Sequence, residues 1–533
     1  MTSNQAEPSL SAWSPLRQPI FRALWIAAAA SNVGTLMQNV GAAWLMTLLA
    51  ASPLMVALVQ TATSLPVFLL ALPAGALADL VDRRRLLLFT QGWMLAAAAG
   101  LGVLTLLGAT TPMVLLTLTF VLGLGVAMNA PAWQAIVPEL VPRPDLPLAV
   151  ALNSVGFNLA RAIGPALGGL VVAAAGAGVV FLLNAASFLG VIAVLFYWER
   201  PPVNSLLPAE RMMGAIRTGM RYVRHVPVLR SVLVRAGAFA LFGTALLALL
   251  PLLARNELGL GSMGYGALLG AFGGGAILGA AGLPKIRKRI SIGLLTQGAT
   301  IVFAAAVIAV ACLRKFSLVC GAMIFGGVAW LTLLSIFNTS IQVVVPSWVR
   351  GRALALYLLI FFGSMAGGGA LWGTVAEFVG IPLTLLCTAV GLIAGLFVTG
   401  RYPLMPEKEL DVTPSMHWPE HAMAIKLQPE DGPVLVTVEY LIDSERSHDF
   451  KVAMRALGHV RRRNGAMRWG LFHDTANASR FFETFVVESW TEHLRQHERV
   501  TMADREVENR ARSFQIDGKP PVVSHLIYAY GEN

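Results

Sequence analysis

Twelve stretches of this chain are apolar over about 20 residues, long enough to cross a lipid bilayer, and all twelve precede residue 402. They are read at 21–46, 53–78, 86–108, 112–137, 148–174, 179–198, 229–254, 263–284, 291–312, 317–342, 353–378 and 381–400. In hydrocarbon a backbone must satisfy its own hydrogen bonds, so each stretch is expected to be a helix. Composition agrees: 56% of residues are hydrophobic and 13% charged, against about 25% charged in soluble domains. The expected fold class is an all-α membrane bundle of twelve transmembrane helices, with the lipid bilayer as its first partner. The net charge of +11 does not imply a nucleic-acid partner, because the basic residues sit in short loops, where they set topology. With the N-terminus inside, eighteen of these basic residues face the cytoplasm and three, Arg255, Arg314 and Lys315, face outside. Both termini are then cytoplasmic. No small-residue cleavage site follows the first run, which reads as a retained signal anchor.

Internal repetition divides the twelve runs into two six-helix halves. Gln134-x-x-Val137-Pro138-x-x-Val141 closes the fourth run and Gln342-x-x-Val345-Pro346-x-x-Val349 the tenth, 208 residues apart at all four positions. The turn between the second and third runs, Asp82-Arg83-Arg84-Arg85, has a counterpart in Lys285-Ile286-Arg287-Lys288-Arg289, with Arg85 and Arg289 204 residues apart. Matching turns and helix ends are what a parallel duplication produces. The expected organisation is a cytoplasmic N-terminal tail (1–20), a first half (21–198), a linker with an amphipathic helix (199–228), a second half (229–400), a second linker (401–432) and a cytoplasmic soluble domain (433–533).

The stretch Gly75-x-Leu77-Ala78-Asp79-x-x-Asp82-Arg83-Arg84-Arg85 resembles the signature loop of the major facilitator superfamily of transporters, with Asp82 where most members have glycine. That resemblance implies the major facilitator fold. It also implies a conformational latch made by Gly75, Asp79, Asp82, Arg83, Arg84 and Arg85. The alternative reading is a tight basic turn that sets topology. In the fifth run, Gly164-Pro165-x-x-Gly168-Gly169 resembles the antiporter motif of export branches, with Ala160 and Ala151 at two upstream positions that are glycine in the fuller motif. Physically, Gly164 and Pro165 bend a helix, and Gly168 and Gly169 let helices approach closely.

Arg161 lies about twelve residues into its run, roughly 18 Å at 1.5 Å per residue, near the midplane. An intramembrane charge is a functional hypothesis: Arg161 would line a central cavity and attract an anionic part of a small-molecule substrate. The other reading makes it a strut bonded to backbone carbonyls. Asn158 shares its helical face, and Asn32, Gln38, Asn129 and Gln134 supply amides for a substrate pathway or for helix–helix hydrogen bonds. No phosphate-binding G-x-x-x-x-G-K-[ST] loop occurs, so ATP hydrolysis is not the expected energy source. Cys312, Cys320 and Cys387 read as packed free thiols with no metal pattern.

In the linker, Met212, Met213, Ile216 and Met220 recur at helical spacing opposite arginines, as in a helix lying on headgroups. The tail alternates as a soluble domain does. Val434, Val436, Val438 and Tyr440 form one face of a strand. A helix (Ser444–Arg463), two strands (Met467–His473 and Phe481–Val487), a helix (Trp490–Arg512) and a strand (Val522–Tyr530) follow. The order βαββαβ is the ferredoxin-like plan, an α+β addition to the membrane bundle. Around Glu488-Ser489-Trp490-x-x-His493 and His497 the tail resembles an antibiotic-biosynthesis-monooxygenase-type module, which implies self-association through this domain. His493 and His497 are spaced i, i+4, but no third ligand is evident and no metal or cofactor is expected.

The membrane part, through Pro15-Leu16-Arg17, Pro131-Ala132-Trp133-Gln134, Val137-Pro138-Glu139-Leu140-Val141 and Leu152-Asn153-Ser154, resembles the enterobactin-exporter-like branch, also called transmembrane secretion effectors. The resemblance implies a secondary transporter of a bacterial inner membrane that exports a small molecule by alternating access, with proton coupling implied by the resemblance alone. It implies no enzyme. A membrane-tethered enzyme or ligand sensor acting through the tail is the alternative.

Overall fold

The computed structural model describes residues 11, 13–50, 52–198, 220, 222–224, 226–400, 411, 413, 415, 431–516 and 520–528, with the side chains of 76, 78–80, 347 and 498 outside that set. Most of the two linkers, including Met212, Met213 and Ile216, therefore lies outside the described residues.

Twelve helices long and apolar enough to span a membrane are found among the described residues. In the first half they are α1 (Pro19–Leu49), α2 (Pro53–Leu80), α3 (Arg83–Leu106), α4 (Pro112–Leu140), α5 (Leu146–Ala175) and α6 (Ala177–Tyr197). In the second half they are α7 (Pro227–Leu252), α8 (Ser262–Arg287), α9 (Ile292–Cys312), α10 (Phe316–Val344), α11 (Ser347–Val379) and α12 (Ile381–Thr399). Their starts follow local chemistry. Proline opens α1, α2 and α4, where its missing N–H costs nothing. Ser52, Thr111 and Ser291 each accept a hydrogen bond from a backbone N–H of the turn they cap, which satisfies one of the orphan donors of a helix start.

Helix boundaries recur at the 204-residue offset that separates Arg85 from Arg289. α4 and α10 both have 29 residues and start 204 positions apart, at 112 and 316. Gly176 and Gly380, again 204 apart, separate α5 from α6 and α11 from α12 with φ of 83° and 81°, a left-handed conformation that glycine adopts without a Cβ penalty. Relative to these boundaries the Gln-x-x-Val-Pro-x-x-Val motif slips by four residues, about one helical turn. Pro138 lies inside α4, whereas Pro346 falls beyond the end of α10.

The bundle presents Phe196, Phe378 and Phe397 exposed on its outside, as a lipid-facing surface does. The same reasoning corrects the expectation of packed thiols: Cys312 and Cys387 are exposed and Cys320 is half-buried. A thiol facing hydrocarbon needs no protein cover.

The chain packs as two units. The first is Met1–Met212, Leu233–Asn338 and Ala355–Arg401; the second gathers Met213–Val232, Thr339–Leu354 and Tyr402–Asn533. Within the second unit the tail forms a four-stranded antiparallel sheet of β1 (Val434–Leu441), β2 (Arg468–His473), β3 (Arg480–Val487) and β4 (Val522–Ile527), in the order β2-β3-β1-β4. Strict alternation along β1 and β3 buries one face. Val434, Val436, Val438, Phe481 and Phe485 on that face pack against α13 (Ser447–Arg463), whose Phe450, Met454 and Leu457 are buried. The single helix expected over 490–512 is instead two, α14 (Trp490–Arg499) and α15 (Met502–Arg512). Thr501 and Asp504 form a reciprocal capping box, so the chain stops and restarts there.

Candidate functional site

The arginine-rich turn is a two-residue link, Val81–Asp82, between α2 and α3. Three arginines in the first turn of a helix oppose its dipole. The structure offsets this in three ways. The Asp82 carboxylate caps α3, accepting from the Arg85 N–H at 2.9 Å. Arg83 donates to Glu139 Oε1 at 2.8 Å and to the Ala135 carbonyl at 2.9 Å, both on α4. Arg84 donates to the Leu195 and Phe196 carbonyls, each at 2.7 Å. These carbonyls are at the C-terminal end of α6, where orphan acceptors and the negative dipole end favour a cation. A Cβ at Gly75 would meet no atom within 4 Å, and the Asp79 side chain lies outside the described residues.

The residues expected along a substrate pathway are dispersed over several helices. Gln38, buried on α1, accepts from Asn184 Nδ2 of α6 at 2.6 Å. Asn129 of α4 accepts from Thr90 at 3.1 Å and Gln91 at 3.2 Å, both on α3. Asn32 and Asn158 are half-buried and Gln134 is exposed. Arg161 is half-buried on α5, its guanidinium 5.1 Å from the centre of the Phe157 ring.

α5 runs unbroken through Pro165, and its small residues make backbone contacts. Gly168 faces Met37 of α1. On the opposite side, α5 meets α8, the second helix of the other half. A Cβ placed on Gly169 would lie 2.5 Å from the Ser262 carbonyl and 2.8 Å from Gly266 Cα, and one on Gly266 would lie 2.6 Å from the Pro165 carbonyl. Gly273 closes the seam against the Arg161 and Ala162 backbone. No side chain fits at such separations. At the end of the bundle away from the arginine turn, further contacts join the halves: Thr61 donates to the Ala366 carbonyl at 2.8 Å, Ser52 bonds Glu377, Arg255 bonds the Thr47 carbonyl, and Trp44 stacks on Tyr265. A cavity between α7, α9 and α12, bordered by Arg235, Thr296 and Thr399, holds only about 30 Å³, the room of a water molecule.

A sequence family described as "Transmembrane secretion effector" matches residues 10–532. The chain belongs to the transmembrane secretion effector family. It is similar to the multidrug efflux pump Tap of Mycolicibacterium fortuitum, 26% identical over 75% of this chain and 99% of that one. It is similar to the enterobactin exporter EntS of Escherichia coli O1:K1 / APEC, 27% identical over 74% and 92%. Among solved structures it superposes on a bacterial homologue of the human lysosomal transporter Spinster, in an inward-facing and occupied conformation, with a TM-score of 0.58 at 16% identity over 73% of this chain and 98% of that one. At that identity the likeness concerns the fold alone. The family is one of major facilitator transporters, so this secretion effector is a multi-pass membrane transporter and not an enzyme.

Two polar residues of the secretion effector were not legible as partners in its sequence. Glu139 is the carboxylate that Arg83 engages, 56 positions away. Asn184 sits fully buried within the most apolar half-bundle stretch, bonding Gln38 and accepting from Thr35 and Ser187 at 3.4 and 3.3 Å. The available signal was Gly34, where a Cβ would lie 2.8 Å from Asn184 Oδ1: a lone asparagine in a membrane run asks for a facing amide and a gap to hold it.

Proposed function

We propose that this secretion effector exports a small molecule, drug-like or siderophore-like, across a bacterial inner membrane by alternating access, with both termini in the cytoplasm. The observation that carries the reading is coverage: an efflux pump and an exporter align over 92–99% of their own lengths. The glycine seam between α5 and α8 supports rocking of one half on the other, because a smooth backbone-to-backbone surface allows sliding without displacing side chains. The contacts at the far end from the arginine turn correspond, in this reading, to a closed outer gate.

The turn from Gly75 to Arg85 acts as the conformational latch. Its support is that Arg83 and Arg84 tie α3 to α4 and α6, so the turn moves with its half as one piece. Asp79 would then be the carboxylate that engages the other half. Arg161 and Asn158 face the substrate, with Asn32, Gln38, Asn129 and Gln134 as its polar surroundings. Proton coupling rests on the family resemblance. The tail is read as a ferredoxin-like domain that self-associates; the antiparallel order β4-β1-β3-β2, with helices over one face, supports that plan, and its likeness to a monooxygenase-type module extends to shape, not to catalysis.

The test compares accumulation of anionic and neutral export candidates in cells with and without the protein, and with Arg161→Ala expressed to equal membrane levels. Wild type should lower accumulation, and Arg161→Ala should lose at least tenfold more activity toward anions than toward neutral compounds. Equal loss for both classes would remove the anion-attracting role. Unchanged accumulation across a broad compound panel would count against export.

A further inference from the structure

The membrane bundle keeps its charged side chains at the ends of its helices, with one exception. The carboxylates within the twelve spans are Asp79, Glu139 and Glu377, each second or third from the end of α2, α4 or α11, and no span contains histidine. All but two of the cations in the spans lie within six residues of a helix end. Of those two, Arg235 is the ninth residue of α7 and donates to the carbonyl of Thr399, the last residue of α12. Its charge rests on a helix C-terminus. Arg161 is different: fifteen residues of α5 precede it and fourteen follow. It is not a strut, because among the described residues its guanidinium has no hydrogen bond or ion pair, and its contact is the Phe157 ring at 5.1 Å.

The face of α5 that carries Arg161 opens on the space between the halves. α5 touches α1 through Gly156, Gly164 and Gly168, and α8 through Ala162, Ala166 and Gly169. At about 3.6 residues per turn these contacts leave two free sectors. The broad one carries Leu159, Ile163, Leu167 and Leu170, all exposed, as a lipid-facing side does. The narrow one carries Ser154, Phe157 and Arg161, and Ser154 and Phe157 are exposed although helices of both halves flank them. They lie toward the α4–α5 turn, the cytoplasmic side in the proposed topology, so Arg161 stands at the deep end of an inward-facing vestibule. A guanidinium keeps its charge at physiological pH. In alternating access the vestibule opens to one side and then the other around a fixed site, and the potential felt at Arg161 follows the open side.

Taking Arg161 as the anion-facing residue of the export reading, we infer that it is the mobile charge of the transport cycle and that this protein exports monovalent anions electrophoretically. Loaded with one anionic group, the midplane is neutral and the carrier turns outward without moving net charge. Empty, it returns with one positive charge moving inward, down an inside-negative potential. Each cycle carries one negative charge out, and 100 mV supports an outward gradient of about 50-fold for such an anion. This drive acts on the substrate's own charge, needs no titrating group at the midplane, and adds to any proton coupling.

The experiment needs no substrate. Ser154→Cys is introduced into the full chain with Cys312, Cys320 and Cys387 replaced by serine. Inverted membrane vesicles, cytoplasmic face outward, are treated with a short uncharged polyethylene-glycol maleimide under potassium diffusion potentials of 100 mV of either sign. The introduced thiol should react about threefold faster or more with the cytoplasmic face negative than positive, because that sign draws the empty carrier inward-open. Arg161→Gln in this background should react at one rate under both signs, which also shows that it folds and opens, and Arg161→Lys should keep the dependence. Equal rates under both signs in the parent chain, or an undiminished dependence in Arg161→Gln, would overturn the mobile charge. Absence of reaction under either sign would overturn the vestibule on which it depends. Export that persists while the reaction ignores the potential would remove the electrophoretic drive alone. Sign-dependent reaction in a protein that lowers the accumulation of no compound would remove the export reading and leave the mobile charge standing.

Discussion

At the scale of single residues, the arginine turn and the tail core show one rule: a charge is tolerated where it finds a complete set of partners. Glu483 points into the sheet's packed face between Phe481 and Phe485 and is fully buried. It accepts from Arg461 at 3.1 Å, Trp469 at 2.9 Å and the Tyr440 hydroxyl at 3.2 Å. Burial, and next to it the Glu483 charge, pushes the Tyr440 phenol well above its usual range, and burial pushes the Tyr222 phenol up to about 12. Each holds its proton in the folded state where the unfolded chain, titrating near 10, releases it. Their stabilising contribution is therefore complete below about pH 10 and is lost as pH rises above it, for Tyr222 through about 12, at up to about 1.4 kcal/mol per pH unit for each group. Chemical unfolding of the second unit measured from pH 9 to 12 should show this fall, and Tyr222→Phe should make it shallower. An identical slope in the variant would exclude the phenol as its source.

At the scale of elements, the α5–α8 seam decides how the halves meet. Gly169→Ala should destabilise the protein by about 1–3 kcal/mol, the range of an overpacked core, because both neighbours of the new methyl are backbone atoms of α8 that cannot rotate away. Gly274→Ala, four positions along α8 from the seam's middle and with no atom within 4 Å of its Cβ, should be neutral or stabilise by up to about 1 kcal/mol through helix propensity. Thermal melts of the two variants in the same detergent separate these outcomes, and equal melting temperatures would refute the close packing. The glycines were legible in the sequence; their division between α1 on one side and α8 on the other was not. Spacing identifies a small-residue stripe but not the helix that fills it.

At the scale of the whole molecule, the second unit is assembled from three chain segments, and its joints are aromatic. Tyr222 meets Trp348 edge-on at 5.7 Å; Arg463 lies 5.7 Å from the Tyr222 ring and Arg499 4.7 Å from the Trp348 ring. Arg499 is itself buried and held by both oxygens of Glu492. Truncation after Arg401 should leave the chain inserted in the membrane but expose Tyr222 and Trp348. The expected signature is a lower melting temperature and new protease cleavage within 339–354, compared with the full chain. Unaltered cleavage would mean that the tail does not protect these segments.

The twelve spans and the strand pattern of the tail were determined by the sequence itself. Each depends on the local period and length of apolar runs and on turn chemistry, and a bilayer leaves a backbone few alternatives. The basic turn was equally plain as a cluster of charge. What that charge does was decided by tertiary structure. Asp82 caps a helix, Arg83 finds Glu139, and Arg84 reaches carbonyls more than 110 positions away. In the tail, His525, whose ring lies beside that of His493, arrives on a strand 28 positions beyond His497. Pairings of this kind depend on which surfaces face each other once helices and strands have packed, and no local period of the chain encodes that choice.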